Sequence, residues 1–493
     1  MIEANPTVAQ AASFDEVQES AQRSTRQFLL VRVGVVVFGY VATAILTRKL
    51  GPAAYGIYGV IISQVLWLEM LSNAGVTGAI AKLMADGRHD HGEIERSARA
   101  LLVGLSLLVL AVCWLIAPQV ARLMRIPDGE LLFRIALIDL PFMAIFTSYD
   151  GILNARRQFG VLARAHVLYG AIKLGGIVAL IVLGLSVERA LIAFVFSTCV
   201  VCAVLVIRYR PRGFCPTGRV MKEIAVLTAP MALYLISNQV LLSLDLWSLK
   251  SLWQGRGEVV GQYVASMNLA KILLVIPAAQ AGVLFSSLAW AVAARDSARA
   301  RGHIQEATRF AVIIGAAAWV ILGLDASEIL SLLFSSAYAD GERFLRIQLA
   351  GFGLFALMDA FAQPLMVTGR RWFLAGVVMA VVPLVWLSNY FLIPRLGPVG
   401  AAASLLLGTA IGAALTGAMT YRCFGSLVPS ATLWRVLVAV VLVGLASAAC
   451  PVWGPLVLVK IGLLGGLYLL VLYTLGEITS NDFRLARKSS AEG

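Results

Sequence analysis

A chain of 493 residues that is 60% hydrophobic and only 14% charged is too apolar and too poor in charge for a soluble globular protein. Its net charge of +13 does not imply nucleic acid, because the basic residues stand in short clusters between apolar runs rather than on one face of a soluble fold. Six scattered cysteines give no disulfide framework, and four histidines bring no set of metal ligands together, so no metal and no cofactor are expected.

Residues 1–27 are polar and lack the features of a secretory signal; they are expected as a cytoplasmic segment, with a capping-box pattern at Ser13 to Glu16. Beyond them, apolar runs of roughly 20 residues recur, each long enough to cross a hydrocarbon core of about 30 Å as a helix. They predict an all-α polytopic membrane protein with about fourteen spans. These lie at 28–47, 55–84, 100–122, 131–153, 166–185, 188–207, 224–249, 260–292, 309–334, 344–367, 372–393, 398–421, 434–449 and 455–475. The connections are short and hold no folded catalytic domain; with no Walker-type loop either, an enzyme is not expected.

Ionisable residues inside spans are costly unless they face a cavity or a partner, so they are the candidates for function. In chain order, Arg32 opens the first span, suited to a bidentate phosphate contact. Between the first two spans, Gly51 and Pro52 in LGPAAYGIYGV end a helix, and Tyr55 and Tyr58 suit an aromatic belt. Glu69 lies in the second span and Asp139 in the fourth, five residues after Arg134 and so not on one face with it. Lys173 lies in the fifth span, Asp245 in the seventh, Lys271 in the eighth and Asp359 in the tenth. Lys173 and Lys271 are candidates for substrate binding. The four acids are candidates for charge pairing or for coupling to a proton or sodium gradient. Asn268, Asn73, Asn238 and Gln239 add neutral donors for sugar hydroxyls or for interhelix bonds. Pro230 and Pro277 are candidate hinges, and Lys460 in the last span suits helix docking.

Alternate connections are unequal in Lys and Arg, and the positive-inside rule makes the richer side, with both termini, cytoplasmic. A faint repeat joins Gly56-Ile-Tyr58 to Gly261-Gln-Tyr263, each opening a span with the same membrane orientation, as a parallel duplication would give.

The stretch from Thr47 to Tyr58, continuing through Leu71 to Ala81, resembles the start of bacterial polysaccharide (O-antigen and exopolysaccharide) flippases. These belong to the multidrug/oligosaccharidyl-lipid/polysaccharide exporter superfamily. The run from Leu392 to Ala403, with its IPRLGPVGAAA, is similar to a second phrase of that family. The resemblance implies two six-helix lobes around a central cavity, 28–207 and 224–421, joined by a cytoplasmic linker at 208–223. Two further helices at 434–475 and a cytoplasmic tail at 476–493 complete the chain. It also implies alternating access that carries a polyprenyl-diphosphate-linked oligosaccharide from the cytoplasmic to the outer leaflet of the inner membrane. Membrane lipids, a polysaccharide polymerase and a chain-length regulator are the implied partners. A multidrug or cation antiporter of the same fold is the alternative; its cavity would be acidic or apolar, whereas Arg32, Lys173 and Lys271 favour an anionic cargo.

Overall fold

The computed structural model describes residues 6–156, 158–182, 184–209, 216–275, 288–292, 294, 296–452 and 454–478, with side chains from residue 37 onward except at 181 and 182. Seventeen α-helices can be followed among them. They are α1 (Pro6–Asn73), α2 (Val76–Asp86), α3 (His91–Met124), α4 (Gly129–Leu137), α5 (Asp139–Ala155), α6 (Phe159–Val182), α7 (Val187–Tyr209), α8 (Gly218–Leu241) and α9 (Leu244–Leu252). Then come α10 (Gly257–Ala270), α11 (Ser297–Leu324), α12 (Ala326–Leu333), α13 (Glu342–Val367), α14 (Arg371–Leu396), α15 (Pro398–Phe424), α16 (Ser430–Ala449) and α17 (Leu456–Thr474). Short 3-10 turns occupy Lys271–Leu274 and Ser336–Gly341.

Among the described residues, twelve stretches are long and apolar enough to cross a membrane. The first, Val37–Asp86, is 50 residues long and covers the second expected span and the later half of the first. Its backbone turns at Gly51, where φ is 73° and ψ is 169°, a conformation open to glycine and closed to most residues. The eighth expected span, 260–292, begins in α10 and runs into residues outside the described ones, and Pro277 lies among those.

Four expected spans are each broken in two; the second divides at Ala74 and Gly75 into α1 and α2, with Gly75 at φ 77°. The fourth divides at Ile138 into α4 and α5, the seventh at Leu242 and Ser243 into α8 and α9, and the ninth at Asp325 into α11 and α12. Gly75, Pro141 in the first turn of α5 and Gly323 just before Asp325 stand at three of these breaks, but apolar residues run through them, which is why a hydropathy reading draws continuous helices. The last three also share an aspartate at the start of the second half: Asp139, Asp245 and Asp325, all buried. The unpaired amides and partial positive charge of a helix N-terminus favour a carboxylate there.

Helices α1 to α7 pack mainly on one another, as do α8 to α15, and the two groups meet where the second half of α1 crosses α10. The α16–α17 pair docks on α11. It is fastened at both ends. Toward the Gly51 end, the Lys460 ammonium donates to Asp325 Oδ1 at 2.7 Å and to the Ser447 carbonyl at 3.0 Å. At the opposite end, Glu477 pairs with Arg309 at 3.0 Å and Arg435 at 2.9 Å and accepts from Thr432 at 2.7 Å.

Candidate functional site: a cavity between two helix groups

The seam between the two helix groups accounts for the Gly-Pro turn and the tyrosines that follow it. Gly56 and Gly261 face each other across the crossing of α1 and α10: a Cβ on Gly56 would lie 2.8 Å from the Gly261 amide nitrogen, and a Cβ on Gly261 would overlap the Pro52 carbonyl. The two glycines of the repeated tripeptides therefore form one backbone-to-backbone contact, which any side chain would pry open. Tyr55 and Tyr58, expected at the membrane interface, are instead buried, at 2% and 7% exposure, because the seam covers them. Hydrogen bonds close this end further. Asn268 Nδ2 donates to the Tyr55 hydroxyl at 2.7 Å, the Tyr40 hydroxyl donates to the Asn268 carbonyl at 3.1 Å, and the Tyr338 hydroxyl donates to the Thr47 carbonyl at 3.0 Å. Arg48 reaches the carbonyls of Leu332 and Leu333.

Beneath the seam lies a cavity of about 350 Å³. Its wall includes Tyr40, Tyr55, Ser63, Lys173, Asn268 and Lys271. A second cavity of about 340 Å³ shares Leu66 and Gln239 with it and continues past Glu69 and Asn73 toward the opposite end. There Val220 and Ile224 of α8 are buried against α2 and α3, and the Thr217 amide donates to the Ser97 hydroxyl at 3.1 Å. The Gly75 region approaches Met231, and His89 bonds Glu223 at 2.9 Å.

Of the residues singled out from sequence, the structure brings Lys173, Asn268 and Lys271 to one cavity. Each lysine comes from a different helix group, and each has its own acids behind it. The Lys173 ammonium sits 4.8 Å from the centre of the Phe194 ring and within electrostatic reach of Asp139 and Glu69. The Asp139 carboxyl is fully buried, faces Glu69 and Thr198, and has no close hydrogen-bond partner on either oxygen among the described residues. Lys271 is within electrostatic reach of Asp245, which is also fully buried and accepts from the Tyr263 hydroxyl. Asp139 and Asp245 do not line the cavity, so the charge it presents beneath the seam is cationic. Lys271 also opens the 3-10 turn at Lys271–Leu274, where α10 tightens.

The remaining candidates stand elsewhere. Asp359 lies away from the cavity, between Tyr234 at 3.4 Å and Gln363 at 3.1 Å, with neutral donors rather than a cation as partners. Pro230 sits inside the continuous helix α8. The Arg32 side chain and Pro277 fall outside the described residues. Arg134 pairs with Glu130 at 2.7 Å and lies over the Trp114 ring, apart from Asp139. Sequence reasoning missed Tyr40, Ser63 and Tyr55 as wall residues; the signal for Tyr55 was present in the repeat, since a glycine repeated at a helix start marks a close crossing.

A sequence profile described as polysaccharide biosynthesis protein matches residues 24–287. No relative is found by sequence among curated proteins. Solved structures share the fold. A structure described as the lipid II flippase MurJ in an inward closed conformation superposes with a TM-score of 0.73 at 12% identity, covering 90% of this chain and 97% of that one. An inward-facing multidrug resistance MATE transporter of the MOP superfamily gives 0.65 at 17% identity, covering 80% and 98%. A MOP superfamily transporter from Pyrococcus furiosus, described by the reverse polarity of its binding pocket, gives 0.60 at 16% identity, covering 83% and 96%.

Proposed function

Because the chain belongs to the polysaccharide biosynthesis protein family, we propose that it flips a polyprenyl-diphosphate-linked oligosaccharide across the bacterial inner membrane by alternating access. The observation that carries this reading is the pair of lysines, Lys173 and Lys271, one from each helix group, on the wall of one cavity. Two ammonium groups sharing one cavity suit a diphosphate, which carries its charges close together and is costly to strip of water without cations. Asn268, Gln239 and Ser63 supply neutral donors and acceptors for the first sugar. The Arg32 guanidinium, early in the first span, serves as a first contact for the diphosphate.

Alternating access is supported by a cavity closed at both ends by contacts between the two helix groups. The Gly51 end is shut by backbone contact and hydrogen bonds, and the other end by the packing of Val220 and Ile224 on α2 and α3 together with the His89–Glu223 bond. With both termini cytoplasmic, the end at His89 and Glu223 faces the cytoplasm, where the lipid-linked cargo is loaded. Glu69 and Asp139, two carboxyls facing one lysine, form the seat for a coupling proton or sodium ion. Pro230 and Pro277 provide bending points. Delivery of the flipped cargo to a polymerase and a chain-length regulator completes the proposed sequence.

The fold alone does not choose between lipid-linked sugars and drugs, since MATE transporters share it; the cationic wall favours the sugars. The test is a proteoliposome assay with a fluorescent polyprenyl-diphosphate disaccharide. Leaflet exchange by the wild type and its loss in Lys173→Gln and Lys271→Gln support the reading. No exchange by the wild type, together with uptake of a cationic dye, would move the chain to the multidrug class. In the same assay, Gly261→Ala pries open the backbone seam and is expected to stop exchange while making Tyr55→Cys in that background accessible to a water-soluble thiol reagent.

A further inference from the structure

We infer that the cleft formed by the end of α3 and the start of α4 is a binding site for a phosphate group, separate from the central cavity. The cleft has a volume of about 640 Å³ and is lined by Arg122, Arg125 and Arg134, with Asp128 and Glu130 as its acids. Arg134 and Glu130 pair at 2.7 Å, which leaves Arg122 and Arg125 against Asp128 and the cleft net positive.

The frame under these arginines is fixed. Ile126 is buried and closely packed against Gly129, where a Cβ would lie 2.8 Å from that of Ile126. Arg134 rests over the Trp114 ring at 5.2 Å, and Arg122 Nε donates to the Pro118 carbonyl at 3.3 Å. Arg125 closes α3 in the left-handed region, with φ 50° and ψ 47°. At this position a helix most often ends in glycine, sometimes in asparagine, and a long branched or charged side chain is disfavoured. A strained arginine at a helix end adds nothing to the packing; what it adds is a charge aimed into the cleft.

Location sharpens the ligand. The cleft lies at the end of the bundle that is poor in Lys and Arg, where the positive-inside rule disfavours three arginines without a purpose. Around it Leu115, Leu123 and Leu131 are 75%, 62% and 54% exposed, a skirt for lipid tails at the level where phospholipid headgroups stand. The phosphate can come from an anionic phospholipid or from solution.

Native mass spectrometry on the full chain tests this, with phosphatidylglycerol as the probe, phosphatidylcholine as reference and inorganic phosphate as competitor. The wild type is expected to retain phosphatidylglycerol over phosphatidylcholine, and Arg122→Gln/Arg125→Asn/Arg134→Gln is expected to lose that preference by on the order of tenfold. Arg125→Asn alone keeps a residue that tolerates the left-handed region, so its smaller loss of preference is read on a folded protein. Loss of retention that inorganic phosphate does not reproduce in the wild type assigns the site to lipid. Displacement by millimolar inorganic phosphate, absent in the triple variant, assigns it to a soluble phosphate. Equal lipid retention by wild type and both variants, with no effect of phosphate, would overturn the inference.

Discussion

The two helix groups answer the same problem, a lysine facing a buried cavity, in different ways. In the first group Lys173 is faced by two carboxyls, Asp139 and Glu69, neither held by a hydroxyl in close contact among the described residues. In the second group Lys271 is faced by Asp245 alone, and that carboxylate is fixed by the Tyr263 hydroxyl. The first arrangement has a carboxyl in excess and therefore a place for an extra proton or cation; the second is balanced and stiff. One group is built to change its charge and the other to keep it.

That contrast can be broken in a graded way. The largest effect is expected for Lys173→Met, which strands two carboxyls and should cost about 3–5 kcal/mol of stability. Its thermal unfolding temperature should fall further than that of Lys271→Met, and equal falls would remove the contrast. Next is Asp245→Asn, which removes the counter-charge of Lys271, half-buried on the cavity wall. It should cost about 3 kcal/mol, against about 1 kcal/mol for Asp139→Asn, where Glu69 still faces Lys173. Lys460→Met serves as a control of a third kind. It strands Asp325 away from the cavity and should cost about 2–3 kcal/mol, while binding of a diphosphate lipid by the solubilised protein is unchanged. The smallest effect is expected for Tyr263→Phe, about 1.5 kcal/mol for one hydrogen bond to a charged group, with transport slowed rather than lost.

How much of this is legible in the sequence depends on which force sets each feature. Polar and charged groups within apolar runs are visible because the membrane makes them costly, so Lys173, Lys271 and Asn268 stand out from their neighbours along the chain, and the fold sets them around one cavity. The helical, many-span architecture is visible for the same reason. The breaks at Ile138, Ser243 and Asp325 are not, because apolar residues continue through them and neither an aspartate nor a nearby Pro141 or Gly323 by itself ends a membrane span. Partners far apart in the chain are equally hidden. Lys460 and Asp325 are separated by 135 positions, and nothing local in either helix foretells their 2.7 Å bond. Tyr55 and Tyr58 are misplaced at the membrane interface by a sequence reading because a tyrosine near a helix start suits both an aromatic belt and a lobe crossing. The repeat of Gly56 at Gly261 is the clue that favours the crossing.

The most direct test of the central claim is the leaflet in which lipid-linked oligosaccharide stands in cells carrying Lys173→Gln/Lys271→Gln in place of the wild type. Intermediates trapped on the cytoplasmic face, with surface polysaccharide lost, are the predicted result. Normal polysaccharide with no trapped intermediate, and a changed sensitivity to cationic drugs, would contradict it.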